Sequence, residues 1–346
     1  MIKNNYIRGD RLTGFTQINN ESAVMPGITD VWNARHRISK MVNKTPLVYS
    51  HEISEQFGSN IYLKLENFHE TGAFKIRGAA SKILSMTTEQ KKHGVATYST
   101  GNHGISVSYV AKKLNIPAYV FVSERVPDAK VDYLRRLGAN VVIKGNSQDE
   151  AGLNCHEVAE REGYTVVEPF DDPYVISGQA TIGLEIFDDL PMVDTVIVPL
   201  SGGGLLSGVA MALKSINPNI RVLGVSMEQG AVMYHSLRAG KPLELDEADT
   251  LADSLLGGIG LDNKYTFSMV KKYMDEAYLI PENHIAMGMA YVLKNHKMAV
   301  EGASAIGVGA VLGRHIESLG SNTVIIVSGN NVNITSFLHA VNEYLG

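Results

Sequence analysis

Short apolar runs, many of them β-branched, alternate along the chain with longer stretches in which apolar residues recur at helical spacing. In the first half, Asn60–Leu65 (NIYLKL), Val95–Ser99, Ala118–Val122 after Pro117, and Val141–Ile143 predict strands. Lys75–Met86, His103–Leu114 and Lys130–Leu137 predict helices between them, the last stopping at Gly138, a natural C-cap. Ser147–Arg161 also has helical spacing. In the second half, Thr195–Pro199, Val222–Val225 and Val324–Val327 predict buried strands, with a helix from about Leu205. Continuous apolar strands alternating with helices argue for parallel sheets covered on both faces. There is no internal repeat, no low-complexity segment and no obvious linker, so the expected domains are interleaved rather than sequential.

Composition narrows the classes. A chain of 346 residues suggests about two domains. Apolar residues make up 45% and charged residues 19%, enough for a substantial core. The net charge is −5 and no basic stripe is present, so no nucleic-acid partner is expected. No apolar run approaches ~18–20 residues, which argues against a membrane span. The start, MIKNNYIRGD, lacks the apolar core of a signal peptide, and a cytoplasmic protein is expected. The lone cysteine, Cys155, cannot form an internal disulfide; it suits a buried helical position better than a reactive one. Residues 1–27 are polar and weakly patterned, as a tail or an oligomer arm would be.

Glycine-rich turns at strand ends carry the candidate chemistry. In Thr71-Gly72-Ala73-Phe74-Lys75-Ile76-Arg77-Gly78-Ala79, Lys75 opens a helix, where the dipole disfavours a cation. Burial would add to that and lower its pKa toward a usable amine. Taken alone, the position also suits a solvated surface lysine. Ser99-Thr100-Gly101-Asn102-His103-Gly104 lies between a strand and a helix, where backbone N–H groups make an anion site suited to a carboxylate. An ordinary capped helix start fits it as well. In Ser201-Gly202-Gly203-Gly204-Leu205-Leu206-Ser207-Gly208, consecutive glycines after an apolar strand let the backbone wrap a phosphate. Val327-Ser328-Gly329-Asn330-Asn331 places a hydroxyl at a strand's C-terminal edge. Together these loops offer an amine, a carboxylate nest, a phosphate cradle and a hydroxyl, the needs of an amino acid on a phosphorylated aldehyde cofactor.

In order and spacing, TGAFKIRGA, STGNHG, SGGGLLSG and VSGNN resemble the fold-type-II pyridoxal-phosphate enzymes, in the threonine dehydratase and serine racemase branch. The likeness runs from about Ile28 to the end. It implies two open, twisted, mostly parallel sheets flanked by helices, in the manner of the tryptophan synthase β subunit, with pyridoxal 5'-phosphate in an interdomain cleft. The large domain would be residues 1–65 and 172–346, the small mobile domain residues 66–171, and the assembly a homodimer. Lys75 would hold the cofactor as a Schiff base and then act as the base at Cα. Phe74 would pack on the ring and Asn102 bond its 3-oxygen. Ser201, Gly202, Gly203, Gly204 and Leu205 would hold the phosphate, Ser328 would meet the pyridine nitrogen, and Glu301 would lie near the cofactor. Ser99, Thr100, Gly101, Asn102 and His103 would bind the carboxylate of an amino-acid substrate. Thr100 stands where racemases of the branch tend to place a catalytic serine on the ring face opposite the lysine.

Departures from the branch sharpen the reading. Ser226–Val232, with Glu228 as its one carboxylate, lacks the carboxylate pattern of the racemases' divalent-metal site, so no metal is implied. Ala252-Asp253-Ser254 replaces the usual Ala-Asp-Gly. Ser226–Leu237 and Ala252–Asn263 are similar to the hydroxyectoine-utilisation dehydratases. The chain ends soon after Ser328, which implies no regulatory domain and no isoleucine feedback. The expected activity is a β-eliminating ammonia-lyase on a small β-hydroxy amino acid. A serine or threonine racemase and a 3-hydroxyaspartate dehydratase are the nearest rivals. Ala151, where a dicarboxylate substrate would want an arginine, disfavours the last. A nicotinamide oxidoreductase rests only on Gly202, Gly204 and Gly208, and an amino-acid sensor would have no use for Lys75.

Overall fold

The computed structural model describes residues 11–13, 24–126 and 128–345. Its strands in chain order are β1 (Arg11–Thr13), β2 (Leu47–Tyr49), β3 (Asn60–Leu65), β4 (Val95–Thr97), β5 (Ala118–Val122), β6 (Asn140–Ile143), β7 (Thr165–Val166), β8 (Thr195–Pro199), β9 (Arg221–Met227), β10 (Glu276–Ile280) and β11 (Asn322–Val327). They form a seven-stranded sheet of order β1-β10-β9-β8-β11-β3-β2 and a four-stranded sheet of order β6-β5-β4-β7. Among the described residues, only the edge pairs β1–β10 and β2–β3 are antiparallel strand pairs; the other pairs are parallel, as the continuous apolar runs led us to expect.

The register of the large sheet follows from two-sided burial. Ile197, Leu223, Ile325 and Val327 face one core with the helices Glu282–His296 and Gly302–Leu312. Their neighbours Val196, Val198, Val222, Val324 and Ile326 face the other, with Pro173–Asp189 and Gly204–Ile216. Successive side chains of a strand point to opposite faces, so both faces must be apolar. Each buried Val or Ile is worth roughly 1.5–3 kcal/mol, so misplacing a strand in the sheet is costly.

The structure adds elements that the sequence pattern did not suggest. The fully buried β10, the long helix Pro173–Asp189 and the short β2 and β7 were not anticipated. β1 falls within the stretch read as a tail or arm; it docks on β10, where Arg11 pairs with Glu276 at 3.1 Å and Glu317 at 2.6 Å. The rest of residues 1–23 lies outside the described residues. The strand expected at Val95–Ser99 stops at Thr97, because Tyr98 and Ser99 already turn toward the helix Asn102–Lys113. Among the described residues, no helix is long and apolar enough to cross a membrane.

Candidate active site

Three neighbouring parallel strands, β8, β11 and β3, end side by side, since Ile197 is in register with Ile325 and Val327 with Leu65. Parallel neighbours lie ~4.8 Å apart, so the loops leaving their C-terminal ends share one crevice. These are the loops bearing the glycine triplet, Ser328 and Lys75. The last two are joined directly. The Phe74 N–H donates to the Ser328 carbonyl at 3.0 Å, Ala73 bridges Gly329, and the Asn330 N–H donates to the Gly72 carbonyl at 2.9 Å. Lys75 is the first residue of the helix Lys75–Ser85. Its Nζ lies 5.3 Å from the centre of the Phe74 ring and donates to the Pro169 carbonyl at 2.6 Å.

Burial lowers the Lys75 amine to about 8. At pH 7 about a tenth of it is neutral, against well under a thousandth for an ordinary lysine. Acetylation of Lys75 in the cofactor-free protein, followed by peptide mass spectrometry, should therefore rise with pH and level off above about pH 9. A rate still climbing tenfold per unit at pH 10 would contradict this environment.

The glycine triplet is shaped by its neighbours. Gly203 has φ +87°, and a Cβ there would stand 2.8 Å from Val270 Cγ2. A Cβ on Gly202 would come within 2.4 Å of the Phe170 ring. No side chain caps the helix Gly204–Ile216, so its first-turn N–H groups are open to an anion. Ser201 is half-buried, and Leu205 is buried in the core behind the turn.

The other wall comes from the small sheet. After β4, the chain doubles back so tightly that a Cβ on Gly104 would meet the Ser99 carbonyl oxygen at 1.8 Å. The helix Asn102–Lys113 then starts at Asn102, with Gly101 as N-cap and no side-chain cap. Ser99 and Thr100 lie half-buried on the turn before it. His103 is buried, with Nε2 bonded to the Val167 carbonyl at 2.8 Å. Burial, with the nearby Lys75 charge, lowers its pKa to about 3, so it stays neutral. Asn102 reaches across to the large sheet: its Nδ2 donates to both Glu301 oxygens at 3.0 Å, and its Oδ1 accepts from Asn331 Nδ2 at 2.7 Å. Ser328 Oγ lies 2.9 Å from Ser304 Oγ.

Beneath Lys75 sits a buried ion cluster that the sequence reasoning missed. Arg77 forks onto Glu66, at 2.7 and 2.9 Å, and onto Glu185, at 2.6 and 2.9 Å. Lys64 adds a bond to Glu185 at 2.6 Å and one to the Thr45 carbonyl at 2.7 Å. Burial alone would raise the Glu66 pKa, but Arg77 and His69 hold its carboxyl well below the usual range. The cluster clamps the loop between β3 and Lys75. The available signal was Lys64, a charged residue between the apolar Leu63 and Leu65 of β3. The positions of Pro169 and Phe170 were also missed, since loop residues carry no periodic pattern. Cys155 is buried and its thiol is pushed up to about 12, first by burial and then by Glu168, which fits the inert role read from the sequence.

The crevice thus holds a half-buried amine of lowered pKa, an uncapped helix start behind a turn that admits no Cβ, a second uncapped helix start, and a hydroxyl. The chain belongs to the pyridoxal-phosphate-dependent enzyme family, whose model matches residues 38–329. It is 41% identical over 318 residues to the L-threonine ammonia-lyase of Thermotoga maritima, covering 92% of this chain and 79% of that one. Its structure resembles maize serine racemase, with TM-score 0.86 and 34% identity, covering 93% of this chain and 98% of that one. It also resembles the processed threonine deaminase isoform 2 of Solanum lycopersicum, with TM-score 0.86 and 30% identity over 99% of this chain and 98% of that one. Within the family it stands in the fold-type-II branch of threonine dehydratases and serine racemases. The residues present fit the cofactor: an amine for its aldehyde, N–H groups for its phosphate and a neutral hydroxyl for its ring nitrogen.

Proposed function

We propose that the chain is an ammonia-lyase that eliminates the hydroxyl of a small β-hydroxy amino acid, giving a 2-keto acid and ammonia. The observation that carries this reading is the lowered Lys75 amine, set in one crevice with two uncapped helix starts. The bound cofactor would supply an aldehyde for the substrate's amine and a ring that spreads the charge left at Cα. Lys75 anchors it and, once displaced, takes the Cα proton. The first-turn N–H groups at Asn102 and His103, with the Ser99–Gly101 turn, hold the substrate carboxylate. Ser201–Leu205 would hold the phosphate, Phe74 would back the ring, and Asn102 would offer its amide to the 3-oxygen. Ser328 offers a hydroxyl rather than a cation or carboxylate to the ring nitrogen, which tempers electron withdrawal. Losing the Cα proton and the β-hydroxyl releases water overall, and the enamine left behind hydrolyses to the keto acid and ammonia.

Racemisation needs a proton donor on the opposite ring face, and Thr100 keeps a hydroxyl where racemases of the branch place a serine, so inversion is scored beside elimination; a solved relative of similar fold is a serine racemase. Threonine and serine are the first substrates to consider, because threonine ammonia-lyases and deaminases are among the relatives. The likeness of Ser226–Leu237 and Ala252–Asn263 to hydroxyectoine-utilisation dehydratases adds a hydroxylated diaminobutyrate. We further propose that residues 66–171 close on the substrate as the small domain, and that the enzyme is a homodimer.

A substrate panel tests the reading. Threonine, serine, both 3-hydroxyaspartates and hydroxylated diaminobutyrates are scored for keto acid, ammonia and inversion. Keto acid and ammonia in equal amounts from at least one β-hydroxy amino acid is the expected result. Inversion without ammonia would reassign the enzyme as a racemase.

A further inference from the structure

Glu301 is a buried carboxylate, 3% exposed, for which no ammonium or guanidinium serves as partner among the described residues. It precedes the helix Gly302–Leu312 and faces the crevice from the large sheet. Its oxygens accept from Asn102 Nδ2, from the Asn331 N–H at 2.8 Å, and from Ser254 Oγ at 2.6 Å. Ser254 and Asn331 are exposed and Asn102 is half-buried, so solvent reaches the rim of this network.

The Asn102 amide is locked at both ends. Asn331 Nδ2 donates to its Oδ1, so its Nδ2 must point to Glu301. An amide nitrogen carries two hydrogens and accepts nothing. One hydrogen is spent on the carboxylate, which leaves the other for the crevice. A protonated Glu301 is left with one full acceptor oxygen instead of two and without its charge, so its hold on the Asn102 amide would loosen.

We propose that Ser254 is a positioning residue: its hydroxyl holds Glu301 as the acceptor that fixes the Asn102 amide against the cofactor's 3-oxygen. The inference rests on the cofactor placement proposed above. Burial raises the Glu301 pKa, and the donors from Ser254, Asn102 and Asn331 oppose it, so each one removed moves protonation to higher pH. The charge acting on Glu301 is Asp253, on the same loop as Ser254, and it pushes in the same direction as burial. The ionisable groups on the facing elements are engaged elsewhere: Lys75 with the Pro169 carbonyl and His103 with the Val167 carbonyl. Ser254 Oγ has one proton, and Asp253 Oδ1, at 3.4 Å, is the more distant acceptor.

The test follows the visible absorption of the cofactor-loaded protein across pH in wild type, Ser254→Ala, Ser254→Thr and Glu301→Gln. Hydrogen bonds to a charged group of this kind shift a titration by about one to two pH units. Ser254→Ala should move the spectral midpoint up by that amount, with threonine restoring the wild-type curve. Glu301→Gln should remove the step and make a further Ser254→Ala change silent. Ser254 is exposed, so the melting temperature of the alanine variant should stay near that of the wild type. A coloured wild type whose titration superimposes on that of Ser254→Ala overturns the role of Ser254 alone. A wild type that takes up no cofactor overturns both this inference and the proposed function.

Discussion

Replacing Lys75 with alanine should abolish covalent cofactor attachment and lower kcat by at least about 10²–10⁴-fold, the range for losing a positioned acid–base group. The structure gives the reason. Lys75 Nζ emerges at the start of a helix, against the favourable direction of its dipole, and is half-buried beside Phe74. Both circumstances favour the neutral amine, which is the form that condenses with an aldehyde and accepts a proton. Alanine removes the anchor and the base together while leaving the glycine triplet and Ser328 in place. The variant should therefore still bind the cofactor, but reversibly and without a lysine adduct. Arginine at this position would keep the charge and lose the chemistry, since a guanidinium does not give up its proton. An alanine variant retaining more than about a tenth of wild-type turnover would contradict the assignment.

The second large effect concerns folding. Arg77→Met should cost about 3–5 kcal/mol of stability, because it leaves Glu66 and Glu185 buried with too little positive charge. Lys64 would remain with Glu185, but Glu66 would keep only His69 and Thr45. Arg77→Lys should recover only part of the loss, since an ammonium cannot reproduce the fork onto two carboxylates. Denaturant midpoints measure both variants, and an Arg77→Met protein within about 1 kcal/mol of wild type would show that the cluster is not needed. The pH dependence has a definite sign. Glu66 is held below its unfolded pKa, so its contribution is complete above the ordinary carboxylate range and is lost as pH falls through the lower, folded value.

The legible parts of the sequence were those where local chemistry and tertiary role coincide. The buried strands of the large sheet must be apolar on both faces, so β3, β8, β9 and β11 could be read from their runs alone. The turns after β3, β4, β8 and β11 announce themselves through glycine beside serine, threonine or asparagine, because the backbone there lies too close to its surroundings for a Cβ. What binds those turns together was not legible. Glu66 and Glu185 meet at Arg77 only because the helix Pro173–Asp189 packs under the helix Lys75–Ser85, and nothing local to either marks the meeting. The same holds for Ser254 and Glu301, and for Ser304 beside Ser328. Short edge elements such as β1 escape for a different reason. A three-residue strand has too few positions for a period, and it is held by Arg11 reaching Glu276 and Glu317.

The central claim is that Lys75 carries the cofactor, and reductive trapping tests it most directly. The wild-type holoprotein is treated with borohydride, digested and mapped by mass spectrometry. The account predicts a pyridoxyl phosphate adduct on the peptide containing Lys75 and on no other lysine. An adduct on a different lysine, or none from a protein that binds the cofactor, would contradict it.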